Sequence, residues 1–369
     1  MTLKRQDRAE PAVQPTKVTR DSDALEVSLR PKSLSEYVGQ SDIKGHLLVH
    51  IAAARKRGES LGHALLHGPP GLGKTTLAYI IGKEMNAQVR VTSGPAIEKP
   101  GDLASLLTNL EQGDVLFIDE IHRMRPVIEE VLYSAMEDFA LDLVIGKGPT
   151  ARSMRLDLKP FTLVGATTKI GSVSAPLRDR FTHNFKLGFY NAVEMEQIVE
   201  RTAGILNVPL DPGAARLIAV SSRATPRIAN RLVRSIRDFA QVKDEEKISR
   251  NRAEHTLRAL GVDEQGLDTT DRMILSTIVE KFNGGPVGLS TLAAATAEEP
   301  DTLEDVYEPY LMQCGYLQRT AKGRVVTPLG YDLLGESAPE SVQKAMWLCI
   351  LSACLPRRQD FSSAVCFPR

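Results

Sequence analysis

The chain has 369 residues, enough for two or three domains, and its 42% hydrophobic and 25% charged content is that of a globular protein without an apolar run long enough to span a bilayer. Its 46 basic and 46 acidic residues cancel, so no overall field draws it to nucleic acid or lipid, and any such contact has to come from a local patch. Cys314, Cys349, Cys354 and Cys366 follow neither a zinc pattern nor a disulfide framework, which implies free thiols in a reducing cytoplasm.

Residues 1–28 are polar, carry Pro11 and Pro15, and lack the apolar centre of a signal peptide, so a flexible arm is expected there. Leu29-Arg30-Pro31 and Tyr37 lead into an amphipathic helix expected over Ser41 to Arg57, with Ile43, Leu47, Leu48 and Ile51 on one side. From His63 the pattern alternates between strand and helix. A short apolar strand ends in Gly68-Pro-Pro-Gly-Leu-Gly-Lys-Thr-Thr76, and a helical pattern follows it, which is the setting a P-loop requires. Gly68, Gly71 and Gly73 let the backbone turn tightly and point N–H groups at phosphate oxygens. Lys74 would bridge the β- and γ-phosphates, and the Thr75 hydroxyl would hold Mg²⁺.

Ala87–Ser93 reads as a second strand, 102–110 as a helix and Asp114–Ile118 as a buried strand ending in Asp119-Glu120. At the carboxyl edge of such a sheet Asp119 would orient the cation and Glu120 would polarise water, whereas an acidic pair without a P-loop upstream would simply end a strand. Pro126 opens a helix with Val127, Val131, Leu132, Ala135, Met136 and Phe139 at helical spacing. Two alternating strands over 141–158, joined by Gly146-Lys-Gly-Pro149, form a hairpin, and Phe161–Thr168 returns to the sheet. Alternating strands and helices imply a parallel, doubly wound sheet. Either Thr167 or Thr168 ends the last strand where a hydroxyl could sense the γ-phosphate, although Thr is common at strand ends for turn reasons alone. In Pro176-Leu-Arg-Asp-Arg-Phe181, Arg178 and Arg180 are either solvated charges or an arginine finger for a transferring phosphate.

Strand patterns stop near Phe189, and helices expected over 191–207, 212–222 and 226–242 make a small all-helical domain. Thr225-Pro226-Arg227 is a helix start, where a cation opposes the macrodipole at a cost of roughly a few tenths of a kcal/mol, so Arg227 has another task. The stripe Arg231, Arg234 and Arg237, opposite Ile228, Leu232 and Phe239, reads as a solvated face. The last organised block, 263–335, has three helices and a two-stranded hairpin, the pattern of a winged helix. Arg319, Lys322 and Arg324 cluster on its wing, where they would lie along DNA phosphates or merely keep the hairpin soluble. Residues 336–369, with the apolar run Met346–Leu355, are unassigned: a partner helix, a docking segment or an extension.

The order LRPKSLSEYVGQ, GPPGLGKTT, FIDEIH, GATT, PLRDRF, TPRIANRLVRSIRDFA, GGPVGLSTLAAA and EPYLMQCGYLQRT resembles the RuvB family of bacterial Holliday-junction branch-migration motors, which are AAA+ ATPases. The resemblance covers about 25–335 and implies an AAA+ P-loop domain over 29–189, a helical lid over 190–262 and a winged helix over 263–335. It also implies a cytoplasmic, ATP- and Mg²⁺-dependent homohexamer that drives double-stranded DNA through a junction held by RuvA, with RuvC resolving the product. On the matching positions, Gly71, Lys74, Thr75 and Thr76 bind nucleotide, Asp119 and Glu120 catalyse, Arg180 is the finger and Arg227 a second sensor. Leu29, Arg30 and Tyr190 wall the pocket, and Glu137, Asp138 and Phe139 approach nucleotide. The 141–158 hairpin docks RuvA, and Arg319 and Arg324 touch DNA. A departure stands at Glu298-Glu299-Pro300-Asp301, where the family has another basic DNA contact. Two rival readings remain: a clamp-loader-like ATPase, and a nucleotide-controlled DNA-binding switch, which would not need Glu120 and Arg180.

Overall fold

The computed structural model describes residues 26–145 and 152–339. Most of the arm expected at 1–28, the turn at 146–149 and nearly all of the 336–369 extension, with Cys349, Cys354 and Cys366, lie outside the described residues. The chain divides into two compact units, one up to Ala253 and one from Glu254 onward, so the division falls within the helix Arg250–Ala259.

The first unit is built on five parallel strands, β1 (Ala64–His67), β2 (Val89–Ser93), β3 (Val115–Asp119), β6 (Thr162–Thr167) and β7 (His183–Lys186), in the order β2-β3-β6-β1-β7. β3 and β6 are apolar runs because both their faces are covered, and Leu116, Phe117, Ile118, Leu163 and Val164 are wholly buried. At roughly 1.5–3 kcal/mol for each large apolar side chain removed from water, this central pair anchors the unit. Its register brings the functional strand ends level: Ser93 pairs with Asp119, Ile118 with Gly165, and His67 with Thr167. β7 was not expected from the sequence, since it is an edge strand of four residues in which Phe185 alone is buried.

The helix Ser41–Arg57 keeps its expected bounds and buries Ile43, Leu47 and Ile51, but Leu48 is exposed. Likewise Val127 points to solvent from the helix Pro126–Glu137, and Phe139 lies past its end with φ +48°. β4 (Ala140–Ile145) and β5 (Arg152–Asp157) form a separate antiparallel pair, seated by buried Leu141 and Leu158. Beyond the sheet come the helices Ala192–Ile205, Pro212–Val220 and Pro226–Val242. Asn191 and Glu194 close a capping box at the first of them, each satisfying the other's backbone N–H. In the last, Leu232, Val233 and Ile236 are buried, whereas Phe239, expected on the apolar face, is exposed.

The second unit contains the helices Thr269–Phe282 and Leu289–Thr296, a helical stretch ending in Glu308–Gln313, and the antiparallel hairpin β8 (Leu317–Thr320) and β9 (Gly323–Val326). Its core joins Ile274, Leu275, Ile278, Leu292, Leu303, Leu311, Leu317 and Val326. Asp268 and Asp271 cap the first helix reciprocally. Leu303–Tyr307 is a π-turn just before Pro309, whose ring clashes with the preceding turn and whose missing N–H cannot continue the α-helical ladder.

Candidate functional site

Three strand ends and one helix start converge on a cleft of about 480 Å³ within the first unit. β1 supplies the loop that becomes the helix Lys74–Glu84, β3 supplies Asp119 and Glu120, and β6 supplies Thr168. The helix Pro226–Val242 begins beside the loop and contributes Arg227. Leu29, Arg30, Gly71, Lys74, Thr75, Thr76, Asp119, Glu120, Thr168, Tyr190 and Arg227 all line this cleft, as their assignment to a nucleotide site requires. Tyr37, Ile198, Arg201 and Asn230 line it as well and were not anticipated. Helical spacing places Ile198 and Arg201 near one another on the helix Ala192–Ile205, but nothing local shows that this helix crosses the cleft.

The phosphate loop is held from behind. The Tyr37 and Tyr190 hydroxyls lie 3.0 Å apart, and both reach the Leu72 carbonyl, at 3.2 and 3.0 Å. Burial pushes both phenols up, Tyr37 well above the usual range and Tyr190 to about 12, so they remain neutral donors. Gly71 has φ +79°, and a Cβ there would stand 2.7 Å from Thr225 Cγ2 and 3.2 Å from Arg227 Cβ. The Arg227 N–H donates to the Gly71 carbonyl at 3.4 Å, so the start of this helix rests on the loop backbone. The Thr225 hydroxyl donates to the Arg223 carbonyl at 2.8 Å and does not cap the helix.

Lys74 donates to the Gly68 and Pro69 carbonyls at 2.8 and 2.9 Å. Burial lowers its ammonium to about 8, with Asp119 pulling it back up and Arg227 pushing it further down. A polyphosphate raises that value by supplying negative charge, so nucleotide binding at pH 8 takes up about half a proton, and at pH 6.5 almost none. Calorimetric titrations in buffers of different ionisation enthalpy measure this uptake, and Lys74→Met is expected to abolish it. By the same sign, affinity falls as pH rises through 8.

The Asp119 carboxylate accepts the Glu120 N–H at 2.9 Å, and Glu120 has φ +48°, which turns the chain sharply at the strand end. Glu120 also pairs with Arg123 at 3.0 Å. Of the two threonines, Thr168 lines the cleft, whereas the buried Thr167 hydroxyl lies 3.0 Å from His122 Nδ1 and accepts the Lys169 N–H.

Arg180, Glu137, Asp138 and Phe139 do not line the cleft. Arg180 donates to the Pro176 carbonyl at 2.8 Å and to Glu137 at 3.1 Å, and its guanidinium lies 4.5 Å from the Tyr133 ring centroid. Asp138 is engaged by Arg155 at 2.8 Å.

In the second unit the wing cations differ from expectation. Arg324 is buried, and its fork is taken by Glu308, with Nε–Oε1 at 2.6 Å and Nη2–Oε2 at 3.2 Å. A side chain so enclosed holds the hairpin to the helix Glu308–Gln313 and presents no cation to DNA phosphate in this conformation. Arg319 is half-exposed and paired with Glu304, and Lys322 is exposed at the turn.

Family models match three consecutive stretches: the Holliday junction DNA helicase RuvB P-loop domain over 29–187, the RuvB AAA lid domain over 190–263 and the RuvB C-terminal winged helix domain over 264–335. Among solved structures, the Thermotoga maritima RuvB Holliday junction branch migration motor is 49% identical with a TM-score of 0.77, covering 85% of this chain and 100% of that one. A lysine-to-arginine variant of Thermotoga maritima RuvB is 49% identical with a TM-score of 0.78, covering 84% of this chain and 99% of that one. A threonine-to-valine variant is likewise 49% identical with a TM-score of 0.78, covering 85% and 100%.

Proposed function

Since the chain belongs to the RuvB family of P-loop AAA+ ATPases that drive branch migration, we propose that it uses ATP to pump double-stranded DNA through Holliday junctions as a homohexameric ring. One observation carries the ring: Lys74, Asp119, Glu120, Thr168 and Arg227 share a cleft, while Arg180 is held outside it by Glu137. A finger so placed serves a neighbouring subunit's nucleotide. Glu137, Asp138 and Phe139 would approach that nucleotide from the same side.

Within each cleft Lys74 neutralises β- and γ-phosphate charge, Glu120 orients the attacking water, Thr168 senses the γ-phosphate, and Arg227 reports it to the helical lid. The Thr75 hydroxyl and the Asp119 carboxylate line the same cleft and are oxygen donors, the set that suits Mg²⁺ shared with substrate phosphates. These two residues would hold the cation, which supplies charge neutralisation at the phosphates. We further propose that the 141–158 hairpin docks RuvA, that RuvC joins the resolving complex, and that Arg319 and Lys322 grip the DNA backbone, with Arg324 bracing the wing. The setting would be recombination, repair and the SOS response in a bacterial cytoplasm. No helix among the described residues is long and apolar enough to cross a membrane.

Unwinding of a synthetic four-way DNA junction tests this reading. ATP-dependent strand separation, stimulated by RuvA and abolished by Glu120→Gln, is the expected result. Hydrolysis that loads a ring without separating strands favours the clamp-loader-like alternative. Nucleotide-dependent DNA binding without turnover favours the switch.

A further inference from the structure

Arg180 lies at the end of a helix of five residues, Ala175–Asp179, too short to hold its own geometry. What fixes it is the neighbouring helix Pro126–Glu137. Glu129 on that helix is buried, yet its carboxylate faces two hydroxyls: Ser174 donates at 2.5 Å and Tyr133 at 3.1 Å. The Tyr133 and Ser174 hydroxyls are themselves 3.1 Å apart, so the three groups form a closed triangle. Ser174 is the residue that starts the short helix, and Leu177, fully buried, anchors its middle. The ring of Tyr133 then lies under the Arg180 guanidinium, whose Nε is buried without a hydrogen-bond partner, while one Nη reaches Pro176 and the other Glu137. The orientation of the fork thus depends on the aromatic face as much as on its two hydrogen bonds.

We propose that Tyr133 and Glu129 are positioning residues for Arg180: the ring carries the guanidinium, and the buried carboxylate fixes the ring by tying it to Ser174. The inference rests on the reading of Arg180 as a finger acting on a neighbouring subunit. A group that must meet a phosphate across a subunit boundary loses effectiveness steeply when it is misplaced by an ångström, which is the reason for such a support.

Mixed assemblies provide the test. Lys74→Ala subunits, deprived of the phosphate-binding lysine, still lend Arg180 to a neighbour. In excess over unmodified protein, a Lys74→Ala/Tyr133→Leu variant is expected to depress ATP turnover per unmodified subunit about 10-fold more than Lys74→Ala alone, and Lys74→Ala/Tyr133→Phe no more than about 3-fold. Binding of a fluorescent ATP analogue to the Tyr133→Leu single variant should match the parent, which a purely structural role would not predict. If Tyr133→Leu fails to bind, Tyr133→Met takes its place in the same comparison. Equal depression by Lys74→Ala/Tyr133→Leu and Lys74→Ala overturns the proposal. If Lys74→Ala/Arg180→Ala also equals Lys74→Ala, the finger reading itself has failed; if it depresses strongly while the Tyr133 variants do not, the finger stands and its support is elsewhere.

Discussion

An Arg180→Ala protein is expected to bind ATP as tightly as the parent and to hydrolyse it about 10³-fold more slowly or worse, the scale set by arginine fingers in related phosphoryl transfers. Affinity is expected to survive because the groups lining the chain's own cleft, from Lys74 to Arg227, make none of the contacts of Arg180, which run to Pro176, Glu137 and the Tyr133 ring. Turnover collapses because the charge developing on the transferring phosphate loses its planar, bidentate partner, which a lysine cannot replace. Arg180→Lys should therefore remain severely impaired. Equimolar mixing with Lys74→Ala subunits, which are inactive alone but keep Arg180, gives a sharper outcome. If each site needs its neighbour's Arg180, about a quarter of sites pair an intact Arg180→Ala cleft with a Lys74→Ala subunit's finger and turnover reappears, whereas a finger serving its own cleft leaves none. Normal turnover by Arg180→Ala would remove Arg180 from the reaction, and no recovery on mixing would remove it from the neighbour's site.

Much of this site was legible because its residues sit at strand ends and helix starts, which local patterns mark. Gly68 to Thr76 lies between an apolar strand and a helix, Asp119-Glu120 closes a continuous apolar run, and Thr225-Pro226 opens the lid helix at the bound the structure gives. What escaped depends on packing at long range. β7 has a single buried residue, so its strand character comes from pairing with β1 and not from its own pattern. Arg201 is recognisable as a cleft residue only once its guanidinium is seen to reach the Leu29 carbonyl, 172 positions away. Leu48 and Phe239 lie at the edges of helical stripes, where neighbours and not periodicity decide exposure. Thr167 and Thr168 point to opposite sides of the strand end by the alternation of an extended chain, yet which side faces the cleft follows from the register with β1.

Arg324 presents the opposite difficulty, since its sequence context suggested a solvent-facing cation and the fold buries it against Glu308. Glu308→Ala is expected to destabilise the second unit by roughly 3–5 kcal/mol, because it leaves a guanidinium enclosed without a counter-charge. For a domain of this size that lowers its thermal transition by about 15 °C or more, measurable by calorimetry. Removing both charges together, as Glu308→Leu/Arg324→Met, should restore stability to within about 1–2 kcal/mol of the parent, since apolar groups of similar volume avoid the desolvation cost. The double variant then separates the two roles open to Arg324. If it braces the wing, junction affinity and its salt dependence stay as in the parent, while Lys322→Ala lowers the salt slope by about one contact. If instead Arg324 leaves Glu308 to meet a phosphate, the double variant itself loses about one contact from the slope, and Glu308→Ala, with the guanidinium released, binds DNA more tightly despite its lower stability. With Glu304 on Arg319 and Glu308 on Arg324, the acidic stretch from Glu298 to Glu308 sets how much positive charge the wing offers, and Lys322 is the cation these two carboxylates leave exposed.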